Sequence, residues 1–509
     1  MAFTIEKTVR GSIYVYEVVS LWDKEKKKSI KKYTYLGRKS GQGGLVEPKR
    51  THQAPRHAED FGARYLIDEL IGKLGIKKLL LEAFPDVAEV ICKVVAFQVI
   101  YGKPSYLMEY FSSVEETSPQ LTSQNLSVLF RNIGTASTRV RAFVDSWINM
   151  HRSQDGMFYD LTSFSSYSRQ NELVEWGYNR DGEDLPQINF GILYGSSSQL
   201  PLMYRVYQGS ISDVTTLANI HKELTAYDIK NFTFYLDRGF FSAQNLSKMA
   251  TAPYDVVMPM PFSTSEAKKL SVESISDFSN MINVDNSAIY CKTFETQIGG
   301  NKFYATVFQT EKRRVSEFDN FTKEFEECEL KAHKQAPASE SDMHRTLESF
   351  PSHIKKCFVI TPSEGAFMLT RNSTEIETIT SRMGKMILVT KTRPVDCKAL
   401  LLNYRSRDMV EKAFDVMKNE LNEGRLRVAS SEAAEGRLFV NFLALIVTSK
   451  LRNVTRASGM KINYTISEIL CEVNKIKRVT LFDGSHCLTE VSKRQKDIFR
   501  TLGIDLPKL

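Results

Sequence analysis

A chain of 509 residues, 42% hydrophobic and 25% charged, is too long for one ordinary core and predicts roughly two to four units around a central domain. The composition is that of a soluble globular protein: it excludes a disordered or fibrous chain, no apolar run reads as long enough to span a bilayer, and no secretory signal opens the sequence. The formal charge is +8, and residues 1–50 hold 12 Lys+Arg against 5 Asp+Glu, so the excess sits on an N-terminal arm suited to a polyanion.

Ser12–Val19 and Lys32–Leu36 are β-rich runs joined by the Lys-rich stretch Lys24–Lys32, and they predict a small hairpin or sheet. The Lys-rich stretch reads first as a solvated turn and second as a polyanion contact. Gly41, Gln42, Gly43 and Gly44, followed by Pro48, mark a joint. From Ala58 to His151 the apolar spacing turns helical. Within it, Leu126–Phe130, a break at Asn132-Ile133-Gly134 and the run Ser137–Trp147 form a helix-turn-helix pattern. Such a pair could enter a DNA groove, and it fits two packed core or dimerisation helices equally well.

At Met157 the pattern changes to strands. Met157–Leu161, Ile188–Tyr194 and Leu202–Tyr207 are predicted strands, with Gly195–Ser198 turning between the second and third. Asp213 begins a predicted helix to about Tyr227, and Phe232–Asp237 is a fourth strand with Tyr254–Met260 a fifth. Three strands, a helix and a fourth strand is the order of a ribonuclease-H-like α/β fold. About 120 residues of mixed character follow, with β-like runs around a charged helical segment, Glu311–His344, and they read as an insertion. A helix carrying Glu411 comes next, then Arg425, Arg427 and the apolar helix Leu438–Val447, with helical spacing to Leu509.

The most informative stretch is Tyr404-Arg405-Ser406-Arg407-Asp408-Met409-Val410-Glu411, with Lys418 beyond it. On one helix at about 100° per residue, Tyr404, Arg407, Glu411 and Lys418 fall within roughly 60° of one another. Arg binds phosphate as a planar fork and Lys as a point charge, so this row suits a phosphate ligand. Asp160 is placed near the end of the first strand and Asp237 at the end of the fourth. In a ribonuclease-H-like sheet those strands are parallel neighbours, which sets the two carboxylates side by side. With Glu411 they offer hard oxygen donors without His or Cys, a set suited to Mg²⁺ or Mn²⁺. Two such ions can activate an attacking oxygen and stabilise a leaving one. Asp155, Asp181, Asp184, Asp213 and Asp415 rank below these three because they fall in loops, at a cap or off the row. The seven cysteines are scattered without a Cys-x-x-Cys pair and the eight histidines lack ligand spacing. Reduced thiols and no zinc site are expected.

Asp160 in Tyr-Asp-Leu-Thr-Ser, Asp237 in Leu-Asp-Arg-Gly-Phe, and the Tyr-(2)-Arg-(3)-Glu-(6)-Lys spacing of Tyr404, Arg407, Glu411 and Lys418 resemble the motifs of bacterial DDE insertion-sequence transposases. The resemblance is to the insertion-sequence-four superfamily and its sixteen-thirty-four branch. Trp176–Gly182, Pro201–Val206 and Gly209–Asp213 resemble segments between that family's two aspartates. The likeness covers most of the chain, strongest over 157–260 and 385–447. It implies a cut-and-paste enzyme, dimeric in its synaptic complex, that binds double-stranded DNA at the terminal inverted repeats of its element. The enzyme would cleave there and join the 3′-hydroxyl ends to target DNA. Asp160, Asp237 and Glu411 would then hold two Mg²⁺ ions, with Mn²⁺ as a substitute. Tyr404, Arg407 and Lys418 would contact phosphates near the cut, with Arg238 and Arg425 as further DNA contacts. No membrane is implied, and the bacterial cytoplasm at the nucleoid is the expected location.

One departure stands out: relatives that form hairpins stack a flipped base on a tryptophan of the insertion, whereas Trp22, Trp147 and Trp176 all lie outside it. The domains expected are a basic β-rich arm over 1–50 and a helical DNA-binding or dimerisation domain over 56–152. A catalytic domain follows over 157–262 and 400–452, split by an insertion over 263–399, with a helical C-terminal region over 453–509. Two other functions share these residues: a nuclease of the same fold that cuts without joining, and a domesticated copy that only binds DNA.

Overall fold

The computed structural model describes residues 2–9, 12–23, 28–39, 44–46, 55–111, 121–152, 156–227, 229–273, 281–336, 338–363, 365–421, 425–458 and 464–508. Lys24–Lys27, Gly41–Gly43, Pro48 and Asp155, all singled out from the sequence, lie outside these. The chain forms two compact units, one of Met1–Ala63, Cys471–Asp497 and Asp505–Leu509, the other of Arg64–Leu470 and Ile498–Ile504.

In the first unit, β1 (Ala2–Val9), β2 (Ser12–Asp23), β3 (Lys28–Lys39) and β4 (Leu45–Val46) form an antiparallel sheet in chain order. This contains the expected hairpin. β5 (Pro55–Asp60) ends that stretch.

The second unit begins at Arg64 within α1 (Gly62–Lys73) and continues with helices α2 (Ile76–Ala83), α3 (Ala88–Tyr101), α4 (Ser123–Thr135) and α5 (Ser137–His151). The break between α4 and α5 falls at Ala136, beyond the predicted Asn132–Gly134. Trp147 of α5 is fully buried and donates its indole N–H to the Pro201 carbonyl at 2.9 Å.

Strands β6 (Gly156–Ser165), β7 (Gln187–Gly195) and β8 (Pro201–Gln208) form an antiparallel meander. Helix α6 (Asp213–Ala226) crosses to β9 (Thr233–Leu236), which pairs parallel to β6. Helix α7 (Ala243–Ala250) leads to β10 (Asp255–Pro259), parallel to β9. The order β8-β7-β6-β9-β10 is that of a ribonuclease-H-like core, as the sequence predicts. β6 and β7 are apolar runs covered on both faces, the pattern of central strands.

Helix α8 (Ser265–Val272) precedes β11 (Met281–Val284), β12 (Ser287–Ile298) and β13 (Asn301–Thr310). Part of the predicted insertion does not stand apart: these strands continue the sheet, joined to β10 through a later strand. The rest builds its own core. Helices α9 (Glu311–Gln335), α10 (Glu340–Glu348) and α11 (Ser352–Lys355), hairpin β14 (Phe358–Ser363) and β15 (Ala366–Arg371), and α12 (Ser373–Ser381) bury Phe325, Met343, Phe350 and Phe358 together. β16 (Lys385–Thr390) then returns to the sheet between β13 and β10.

Helices α13 (Cys397–Arg405) and α14 (Asp408–Asp415) carry the predicted row and lead toward α15 (Ser431–Ala457). Helix α15 is apolar and long enough to cross a membrane by length and composition, which corrects the sequence expectation, yet 78% of its most apolar window is buried inside the protein. A Cβ on Gly134 of α4 would lie 1.9 Å from the Glu432 carbonyl oxygen, and one on Gly436 of α15 equally close to that of Phe130. The two helices therefore touch backbone to backbone, and α4 serves as a core helix on this face.

The C-terminal region departs from its all-helical expectation. After α16 (Ile466–Val473), strands β17 (Lys477–Leu481) and β18 (His486–Leu488) pair, and β17 also pairs with β5, completing a three-stranded sheet of the first unit before α17 (Lys493–Thr501).

Candidate active site

Asp160 is the one partly exposed residue of β6, whose other nine positions are buried. It lies inside the strand rather than near its end, because β6 continues to Ser165 along β7. On the other side β9 stops at Leu236, opposite Tyr159. Asp160 thus stands where β6 loses a neighbour, and the next residue of the departing chain is Asp237, the cap of a short 3₁₀ turn over Arg238–Phe240. The parallel register brings the two carboxylates to the same level, as expected from the sequence.

The third acid arrives on a broken helix rather than a continuous one. α13 ends at Arg405, and the turn through Arg407 is closed by the Arg407 N–H to Tyr404 carbonyl bond (3.1 Å) and the Val410 N–H to Arg407 carbonyl bond (2.9 Å). These three-residue loops tighten the backbone locally. After α14 the chain widens into a π-turn over Val416–Glu420, where the Leu421 N–H bonds the Val416 carbonyl at 2.9 Å. Spacing of 100° per residue therefore does not hold across the row, and the single-helix reading is corrected: Tyr404, Glu411 and Lys418 lie on three different turns.

Arg407 joins the acids. Its Nη1 donates to Asp160 Oδ2 at 2.8 Å, and its Nη2 lies 3.5 Å from Asp237 Oδ1 and also donates to Glu411. One guanidinium thus neutralises a cluster whose members would otherwise repel. Burial pushes the Asp160 carboxyl up to about 6, against the opposing pull of Arg407 and of the Leu161 N–H, while Asp237 adds to the rise. Burial likewise pushes the Tyr404 phenol up to about 12, although Arg407 beside it favours the phenolate.

Lys418 is turned off the acid cluster by the π-turn. Its Nζ donates to both carboxylate oxygens of Asp181, at 2.6 and 2.8 Å. Arg425 pairs with Glu183 at 2.8 Å and donates to the Tyr167 hydroxyl at 3.0 Å. Arg238 is exposed and, among the described residues, pairs with no acid.

A residue the sequence reading did not single out is Arg180. It donates to Ser163 at 3.1 Å and to Asn189 at 3.4 Å, pairs with Asp213, and its charge favours the ionised form of Asp160. The signal lay in the motif Trp176–Gly182. Asp181 and Asp213, ranked low from the sequence, are the partners of Lys418 and Arg180 rather than members of the acid cluster.

The donor chemistry of Asp160, Asp237 and Glu411 is oxygen only, which suits a hard divalent cation. In this arrangement the guanidinium stands at their centre, and among the described residues no three acidic, His or Cys side chains are placed to share an ion. The set fits such an ion in charge and donor type, provided that Arg407 swings aside.

Residues 151–447, more than half of the chain and including all three acids, match the family model described as the Transposase DDE domain. No curated protein matches. Among solved structures the chain is similar to the piggyBac transposase synaptic complex with hairpin DNA, seen by cryo-EM, at 10% identity and a TM-score of 0.38, over 75% of this chain and 68% of that one.

Proposed function

Because the chain belongs to the Transposase DDE domain family, we propose that it binds the terminal inverted repeats of an insertion sequence, cleaves there and joins the freed 3′-hydroxyls to target DNA. The observation that carries this is the convergence of Asp160, Asp237 and Glu411 on one guanidinium. These three acids would hold the divalent ions. When bound, a pair of Mg²⁺ ions supplies an activated attacking oxygen and neutralises the leaving one in an in-line displacement.

The protein's own groups do the rest. Arg407 holds the acids together in the metal-free state, and once it has swung aside its planar fork is available to a phosphate near the cut. Tyr404, whose phenol burial pushes still further above working pH, donates a hydrogen bond to a phosphate oxygen. Lys418, Arg425 and Arg238 contribute charge along the DNA backbone, with Lys418 and Arg425 exchanging Asp181 and Glu183 for phosphates. The Tyr-(2)-Arg-(3)-Glu-(6)-Lys spacing supports membership of the insertion-sequence-four superfamily and its sixteen-thirty-four branch. Two copies, one for each end, form the proposed synaptic complex.

The test is substitution of each acid. Asp160→Ala, Asp237→Ala and Glu411→Ala are each expected to lower end cleavage by about a thousandfold or more while binding to the ends persists. Cleavage at the wild-type rate in any of the three removes that residue from the catalytic set.

A further inference from the structure

The extended segment from Arg425 to Ser430, just before α15, has a cavity on each side. One of about 470 Å³ lies against Tyr167, Arg169, Arg425 and Arg427. The other, about 410 Å³, lies against Tyr106, Arg131, Arg427 and Arg437, and the stretch Arg427–Ala429 borders both. Neither is lined by a single Asp or Glu. Of the arginines on its walls Arg425 is paired, with Glu183 at 2.8 Å, as Arg407, Lys418 and Arg180 are each paired with a carboxylate at the active site. Arg169 and Arg427 are exposed and, among the described residues, pair with no acid.

The walls are built rather than accidental. The Leu426 N–H bonds the Ser165 carbonyl at 3.0 Å, the Ser166 hydroxyl donates to the Leu426 carbonyl at 3.0 Å, and the Ser168 hydroxyl donates to the Ala429 carbonyl at 3.1 Å. These bonds tie the exit of β6 to the segment before α15. An aromatic stands at each side: Tyr106 is 45% exposed and Tyr167 66% exposed. The Arg425 guanidinium lies 5.4 Å from the Tyr167 ring centre. Unpaired arginines interleaved with exposed rings are what an unpaired nucleic-acid strand requires, phosphates meeting charge and bases meeting ring faces. The trough begins at Ser166, just past the end of β6, and the five residues of β6 from Asp160 to Ser165 span about 17 Å at the rise of a strand.

We propose that this trough holds the unpaired strand of a cleaved or frayed DNA end, with Arg169, Arg427 and Arg131 on phosphates and a base stacked on Tyr167. The proposal rests on the transposase reading for its ligand, and it deepens that reading by giving the strand a path away from the acids.

The test uses fluorescence anisotropy on the full chain with a blunt DNA duplex and the same duplex bearing a single-stranded tail. Wild-type protein is expected to bind the tailed duplex about tenfold more tightly, and Tyr167→Leu to abolish that preference. The pair Arg169→Gln with Arg427→Gln is expected to lower the salt dependence for the tailed probe by about 1.4 in log–log slope, from two lost phosphate contacts. The pair Arg169→Lys with Arg427→Lys keeps the slope and controls for folding. Equal wild-type affinity for the two probes overturns the proposal, as does a tail preference that survives in Tyr167→Leu or an unchanged slope in the Gln pair. Asp160→Ala is measured alongside for cleavage. If it cleaves normally, the catalytic assignment fails while the trough is judged by binding alone.

Discussion

Arg407 is the residue on which the acidic cluster depends. From the sequence it reads as a phosphate fork, whereas in the folded chain it spans Asp160, Asp237 and Glu411. That Asp160, Asp237 and Glu411 come together was legible because the ribonuclease-H-like order makes the two Asp-bearing strands parallel neighbours. Arg407's position was not, because a side chain's partner across the fold leaves no mark in local spacing. Without metal, Arg407→Ala leaves three carboxylates facing one another, and a loss of about 1–2 kcal/mol is expected after discounting for their exposure. Thermal unfolding in chelator should show the loss and added Mg²⁺ should reduce it. An equal loss with and without Mg²⁺ would mean that the ion does not take the guanidinium's place. Asp160 adds a pH signature. Its carboxyl titrates near 6 in the fold instead of at the ordinary 3.8. Its contribution to stability is therefore present below the unfolded value and lost as pH rises through about 6. Metal-free Asp160→Asn should show a flatter stability profile across that window and a higher melting temperature than wild type above it. A profile parallel to wild type would refute the shift.

At the scale of elements, the strands of the catalytic sheet were legible because central strands are continuous apolar runs with clear ends. What failed was continuity. The row from Tyr404 to Lys418 reads as one helix by period, yet it is broken at Arg407 and widened at Val416–Glu420. Hydrophobic spacing reports which face is buried, not whether each turn is regular. β17 and β18 were missed because they are short and because β17 finds its partner in β5, near the other end of the chain. The cysteines looked scattered for the same reason: Cys397, first residue of α13, meets Cys291 of β12, whose hydrogen bond lowers the Cys397 thiol. The helix-turn-helix pattern resolves toward packing at one place, the contact of Gly134 and Gly436 with the facing backbone. Gly436→Ala is expected to cost about 1–3 kcal/mol or more, because neither backbone can yield without shifting its helix. Urea unfolding at unchanged m-value would read this out. A cost within a few tenths of a kcal/mol would mean that the helices do not meet so closely.

Over the whole molecule, the sequence made the ribonuclease-H-like order readable but hid how the insertion joins it. β16 pairs with β10 and β13 at once, so the strands around the insertion widen the same sheet that carries Asp160 and Asp237. Only the segment from α9 to α12 gathers a core of its own. The N-terminal charge excess is a feature of this scale as well. Its Lys-rich run was expected in a turn, but Lys28–Lys32 lie in β3; neutralising Lys24–Lys32 is expected to weaken DNA binding and flatten its salt dependence, and an unchanged slope would leave the run with no DNA contact. The central claim is that one set of acids both cuts an end and joins it. Its most direct measurement incubates the purified chain with paired element ends, Mg²⁺ and a supercoiled target plasmid, and maps the products. The account predicts ends covalently joined to the target through their 3′-hydroxyls, absent in Asp160→Ala, Asp237→Ala and Glu411→Ala. Ends that are cut but never joined would contradict it and leave a nuclease.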